Sequence, residues 1–121
     1  MAHMEDEILV VDDDLGILES FDAMLGDDYS IVTIGSGEQA LEYLSSHRVK
    51  LIFLDIKMSD ISGIEVLEKL RQQKSTTEVV IVTATTEEHY EQQARDLGIA
   101  AFLRKPFEVL EVEEIASRVL H

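Results

Sequence analysis

Apolar residues along this chain fall into two alternating rhythms. Short runs rich in Val, Ile and Leu occupy 8–11, 29–34, 50–54, 79–82 and 100–103. Continuous apolar runs bounded by polar or turn residues read as buried strands. Between them, apolar residues recur at helical spacing. The sets are Leu15, Leu18, Phe21, Met24 and Leu25; then Ala40, Leu41 and Leu44; then Ile64, Val66, Leu67 and Leu70. Tyr90, Ala94 and Leu97 follow, and Leu110, Ile115 and Val119 form the inward face expected of 107–120. The punctuation agrees with the spacing. Asp14 stands where an N-cap belongs, and Gly26 and Gly98 where helices stop. Ser36 with Gln39, Ser62 with Glu65 and Thr85 with Glu88 have capping-box spacing. The single proline, Pro106, precedes the last helix.

Strands that alternate with helices five times predict an α/β domain with a parallel sheet covered on both faces. Its crossovers should be right-handed. A length of 121 residues suits one core. Residues 1–4, Met1-Ala2-His3-Met4, read as a cloning remnant, which leaves 5–121 as the domain. No apolar run approaches the roughly 20 residues of a membrane helix, and no secretory pattern opens the chain. The absence of cysteine excludes disulfides and thiolate metal sites, and fits a cytoplasmic protein. The formal charge of −15, from 25 acids against 10 Lys and Arg, would repel a phosphate backbone. Direct nucleic-acid binding and membrane binding are therefore not expected. His3, His47, His89 and His121 lack metal-ligand spacing.

The strand ends carry the chemistry. Asp12 and Asp13 follow the first strand, Asp55 the third, Thr83 the fourth and Lys105 the fifth. In a parallel sheet these ends share one edge, where ligands bind in open α/β folds. With the first and third strands adjacent, three carboxylates would crowd together and raise a pKa unless a cation intervened. Mg²⁺, a hard cation with oxygen ligands, fits such a set. Mg²⁺ and Lys105 together would bring the site near neutrality. Asp55 would then serve as a nucleophile toward phosphorus, with metal and lysine stabilising the transferring group. A plainer reading makes Asp12 and Asp13 helix caps and Asp55 a loop acid, but the full set at successive strand ends favours a site. A flavin site would need a phosphate-cradling loop after the first strand, where Asp12-Asp13-Asp14 would repel phosphate. An aspartyl phosphatase would want a second acid where Lys57 stands.

Four motifs in order, VVDDD at 10–14, FLD at 53–55, IVTA at 81–84 and RKPF at 104–107, resemble the receiver domain of bacterial response regulators. The likeness covers nearly the whole chain after Met4. It implies a CheY-like, flavodoxin-like (βα)5 fold with strand order 2-1-3-4-5. It implies that Asp55 accepts a phosphoryl group from a phosphohistidine of a sensor histidine kinase or phosphotransfer protein. Asp12, Asp13, Asp55 and the backbone carbonyl of Lys57 would hold Mg²⁺, and Lys105 would pair with phosphoryl oxygens. The Lys105–Pro106 bond is often cis in such domains. Thr83 and Phe102 would form the switch, while Lys57 and Thr85 would set phosphoryl lifetime. Such a domain passes its signal to a downstream effector domain or protein and turns over no external substrate. Two departures stand out. The loop Lys57-Met58-Ser59-Asp60 lacks the proline common after methionine, and Phe102 lacks the hydroxyl of a tyrosine, so any switch rests on packing. The alternative is a phosphorylation-silent receiver used only as an interaction module. A homodimer through the side bearing Arg95, Arg104 and Arg118, with Asp96 and Glu111 as partners, stays open.

Overall fold

Each apolar run forms a strand, because β-branched and aliphatic side chains suit a pleated surface that is covered on both faces. The computed structural model describes residues 7–121, so the expectation for 1–4 lies outside the described residues. The order is β1 (Glu7–Val11), α1 (Leu15–Leu25), β2 (Ser30–Ile34), α2 (Gly37–Leu44) and β3 (Leu51–Leu54). Then come α3 (Gly63–Gln72), β4 (Glu78–Thr83), α4 (Glu88–Leu97), β5 (Ala101–Arg104) and α5 (Val109–Leu120). All pairings are parallel, in the order β2-β1-β3-β4-β5. This is the doubly wound order that the resemblance implied. No helix among the described residues is long and apolar enough to cross a membrane.

The strand period of two divides the core between the sheet's faces. Leu9, Val11, Ile52, Leu54, Val79 and Ile81 pack with Ala40, Val66, Leu67 and Ala94, beneath α2, α3 and α4. Ile8, Val10, Leu51, Phe53, Val80 and Val82 pack with Phe21, Leu25, Val112 and Ala116, beneath α1 and α5. The rings of Phe21 and Phe53 meet at 4.7 Å between centroids.

Several helix starts differ from the sequence expectation. Asp14 caps α1 as expected, accepting from the Gly16 N–H at 2.9 Å. Ser36 accepts from the Gln39 N–H at 3.2 Å. Ser62, however, accepts from the Ile64 N–H instead of from Glu65. Helix α4 begins at Glu88, with Glu87 at the N-cap and no side-chain cap bond. The Thr85 hydroxyl closes a short turn instead, accepting from the Glu87 N–H at 3.2 Å. Helix α5 begins two residues later than expected, behind a Glu108–Glu111 capping box. Its buried residues are Val112 and Ala116. Leu110, two positions from Val112 and so on the opposite side, is 69% exposed rather than inward.

Two long-range contacts bind the helical layer. Asp60, in the loop after β3, reaches the N-terminus of α2. Its carboxylate accepts from the Ser36 hydroxyl at 2.6 Å and from the N–H groups of Gly37 at 3.1 Å and Glu38 at 2.8 Å. These bonds, Ser36 foremost, hold the Asp60 carboxyl well below the usual carboxylate range. Arg71, near the end of α3, donates to the carbonyls of Leu97, Ser75, Thr77 and Gly98. It thereby pins the C-terminal end of α4 to α3.

Gly63 opens α3 where the chain leaves the sheet edge. Its N–H donates to the Ile56 carbonyl at 2.9 Å, and a Cβ here would collide with the Asp55 carbonyl oxygen. It would also lie 2.9 Å from the Asp55 carbonyl carbon and 3.1 Å from the Ile56 Cα. Backbone atoms cannot yield as a flexible side chain would. Gly63→Ala should therefore cost about 1–3 kcal/mol of overpacking strain, read from urea unfolding midpoints. Unchanged stability would show that the loop after β3 has slack the structure does not reveal.

Candidate functional site

The parallel ladder builds the site. The Asp12 N–H donates to the Ile34 carbonyl, the Asp55 N–H to the Val11 carbonyl and the Lys105 N–H to the Thr83 carbonyl. Each site residue thus continues the pairing one position past a strand. Val11 pairs with Leu54, so Asp12 and Asp55 emerge side by side. The burial that completes the core continues into the acids: Asp12 is 3% exposed, Asp55 5% and Thr83 0%. Asp13, next in the chain, is exposed.

Hydrogen bonds orient each carboxylate. Asp12 Oδ1 accepts from the Asp14 N–H at 2.9 Å, and Oδ2 accepts from Lys105 Nζ at 2.7 Å. Asp55 Oδ1 accepts from the Ile56 N–H at 2.9 Å, and its Oδ2 lies 3.7 Å from Lys105 Nζ. Asp13 accepts from the Ser59 N–H at 3.1 Å. Asp12, Asp13 and Asp55 each offer an oxygen, all within 4.8 Å of one another. Burial pushes the Asp55 carboxyl up to about 6, helped by the Asp12 charge and opposed by Lys105. Three carboxylates against one ammonium leave a formal −2 (−3 from the acids, +1 from Lys105). An all-oxygen set with that deficit, part buried and part open to water, fits a hard divalent cation.

Above Asp55 lies a pocket of about 390 Å³, lined by Asp55, Lys57, Thr83, Ala84, Thr85 and Lys105. These include the sequence-predicted Asp55, Lys57, Thr83, Thr85 and Lys105. A larger cleft of about 800 Å³ lies at the opposite edge of the sheet, between 48–50 and 73–78. It contains none of the clustered acids, so volume is a poor guide to the chemistry here. The Lys105–Pro106 bond is cis.

The last predicted member, Phe102, stands outside the pocket on β5. It is partly buried against the core beneath α2–α4. Arg104, which the sequence offers as part of RKPF and as a dimer candidate but not as a partner of Phe102, covers it. The guanidinium lies 5.1 Å from the Phe102 ring and donates to the Thr85 carbonyl at 2.6 Å and to Glu91 at 3.0 Å. Arg95 also pairs with Glu91, at 2.8 Å. Asp96 accepts from Gln92, and Glu111 closes the α5 cap. Lys57 reaches Glu87 at 3.4 Å and lies 5.1 Å from the Tyr90 ring centroid. The Lys57–Glu87, Lys57–Tyr90 and Arg104–Glu91 contacts carried no sequence signal, because each joins residues on different elements; the Arg95–Glu91 pair is local, four residues apart on α4.

The comparisons with known proteins agree with this geometry. A family model described as the response regulator receiver domain matches residues 8–117. The alkaline phosphatase synthesis transcriptional regulatory protein PhoP of Bacillus subtilis is 34% identical over 118 residues, covering 97% of this chain and 49% of its own length. The chain thus spans about half of that relative. Sporulation initiation phosphotransferase F of the same organism is 30% identical over 118 residues, covering 97% of this chain and 95% of its own. Among solved structures, the response regulator protein TrrA of Thermotoga maritima, in complex with Mg²⁺-BeF, is 32% identical with a TM-score of 0.83. That match covers 94% of this chain and 98% of the other. With the family model spanning nearly all described residues and the fold and acidic pocket in agreement, this chain belongs to the receiver domains of response regulators.

Proposed function

We propose that Asp55 is the phosphoacceptor of this receiver. The observation that carries the reading is the Asp55 carboxylate itself. It is 5% exposed, fixed by the Ile56 N–H on one oxygen, and faces a pocket lined by Lys105 and Thr83. An Asp55 oxygen attacks phosphorus while the bond to the donor's imidazole nitrogen breaks; with the donor's other ring nitrogen protonated, the histidine of the kinase or phosphotransfer partner leaves neutral. Lys105, already 3.7 Å from Asp55, meets the phosphoryl oxygens. The Thr83 hydroxyl accepts from the Thr85 N–H at 3.3 Å, which leaves its own proton to donate. Asp12, Asp13, Asp55 and the Lys57 backbone carbonyl would hold Mg²⁺, whose chemistry is to neutralise charge on the transferring group. The domain turns over no external metabolite. Its output is a downstream effector, carried on the same polypeptide or on another.

The switch follows from the same contacts. A phosphoryl group adds roughly −1.5 to −2 charges and three acceptor oxygens, and it recruits the Thr83 hydroxyl. The turn joining Thr83 to Thr85 moves with it, and so does the Thr85 carbonyl that Arg104 holds. Phe102, beneath Arg104, then has room to turn inward. To carry a population from 1:99 to 99:1 the modification must favour the active state by about 5.5 kcal/mol. The resulting rearrangement lies on the α4–β5–α5 face.

Two experiments test this reading. Intact-mass spectrometry after adding a small phosphodonor with Mg²⁺ should show one phosphoryl adduct on the wild type and none on Asp55→Ala. An adduct that survives the substitution would name another nucleophile, and none on the wild type would make this a phosphorylation-silent module. Phe102→Ala should still take the adduct. Hydrogen exchange over the β4–α4 loop and α4 should then change several-fold less on phosphorylation than in the wild type. An equal change would remove Phe102 from the switch.

A further inference from the structure

The Lys57–Glu87 pair joins the loop after β3 to the loop after β4, and both loops line the phosphoacceptor pocket. Lys57 rises from the loop after β3 and lines one wall. Glu87 sits two residues past Thr85, which also lines the pocket. The Lys57 ammonium meets Glu87 Oε1 at 3.4 Å and lies 5.1 Å from the Tyr90 ring centroid. Held there, it leaves about 390 Å³ open above Asp55. Glu87 is itself fixed to the pocket by consecutive turns. Its N–H donates to the Thr85 hydroxyl, and the Thr85 N–H donates to the Thr83 hydroxyl. Both partners are about half exposed, at 56% and 47%. The pair is therefore weak, and a nearby dianion would draw the ammonium inward if the Glu87 charge did not oppose it.

We propose that Glu87 is a positioning residue for the chemistry of Asp55. It holds the Lys57 ammonium at the rim and so keeps the pocket open, both to the incoming phosphodonor and to the water that ends the phosphorylated state. The proposal rests on the phosphoacceptor reading above and adds a residue to it. Hydrolysis forms a bond from water oxygen to phosphorus and breaks the bond from phosphorus to the Asp55 oxygen. It yields the carboxylate and dihydrogen phosphate, with both water protons retained on the phosphate. Once the Glu87 charge is gone, the flexible Lys57 stem swings to the phosphoryl oxygens and occupies the path that water needs.

The test is a double-mutant cycle on Glu87→Gln and Lys57→Met, using acetyl phosphate and Mg²⁺ as the probe. Two rates are read by intact mass: formation of the Asp55 adduct, and its decay after the donor is removed. Glu87→Gln should slow both, by about two- to five-fold, the scale of an exposed ion pair. In the Lys57→Met background the same substitution should change neither rate. A general disturbance of the loop would act in both backgrounds, so an effect that persists without Lys57 overturns the proposal. Faster decay in Glu87→Gln, or no change, overturns it too. Failure of the wild type to form any Asp55 adduct would instead overturn the phosphoacceptor reading, and this proposal with it.

Discussion

The structure depends on a conflict of charge at one edge of a sheet. Parallel pairing places Asp12 and Asp55 beside each other with almost no exposure to water, while Asp13 joins them from the solvent side. One ammonium, on Lys105, answers three carboxylates. Desolvation and the Asp12 charge both disfavour an ionised Asp55, and Lys105 offsets only part of that cost. Such an edge is stable enough to fold, because the apolar faces beneath both helical layers are continuous and well buried. Its charge deficit fits a divalent cation, and in the proposed function Lys105 and Thr83 would then meet the group that Asp55 accepts.

The two ends of α4, the helix that follows the pocket-lining residues 83–85, are held differently. The C-terminal end of α4 is pinned by Arg71 through the carbonyls of Leu97 and Gly98. Its N-terminal end has no side-chain cap. That end is held by exposed contacts: Lys57 with Glu87, and Arg104 with Glu91 and the Thr85 carbonyl. Contacts of this kind are individually weak, so a charge change on Asp55 can reorganise them without disturbing the core. In the proposed switch Thr83 is the link, being fully buried and bonded to the Thr85 N–H that starts the loop. On that proposal a local electrostatic event would reach a surface that a partner can read.

The strands were legible in the sequence because each is a short apolar run that ends at a polar residue, and that same ending located Asp12, Asp55, Thr83 and Lys105. The strand order was not legible from the residues. It came with the family resemblance, since periodicity does not say which strands are neighbours. Helix caps were legible where the cap is local, as at Asp14 and Ser36. They failed at Thr85, where a short turn took the hydroxyl, and at α5, where Glu108 and Glu111 moved the start and turned Leu110 outward. Asp60, Arg71 and Arg104 were illegible as hubs, because the contacts that join them to other elements, Asp60 to Ser36, Arg71 to Leu97 and Gly98, and Arg104 to Thr85, span 19 to 27 residues.

The most direct measurement is an NMR titration of the Asp55 side-chain carboxyl carbon, with a chelator and then with Mg²⁺. The account predicts a midpoint near 6 without divalent cation, against an ordinary value of 3.8, and a midpoint driven below that ordinary value when Mg²⁺ is present. A midpoint near 3.8 in chelator, or one that Mg²⁺ leaves unmoved, would contradict the charge conflict on which this description of the site rests.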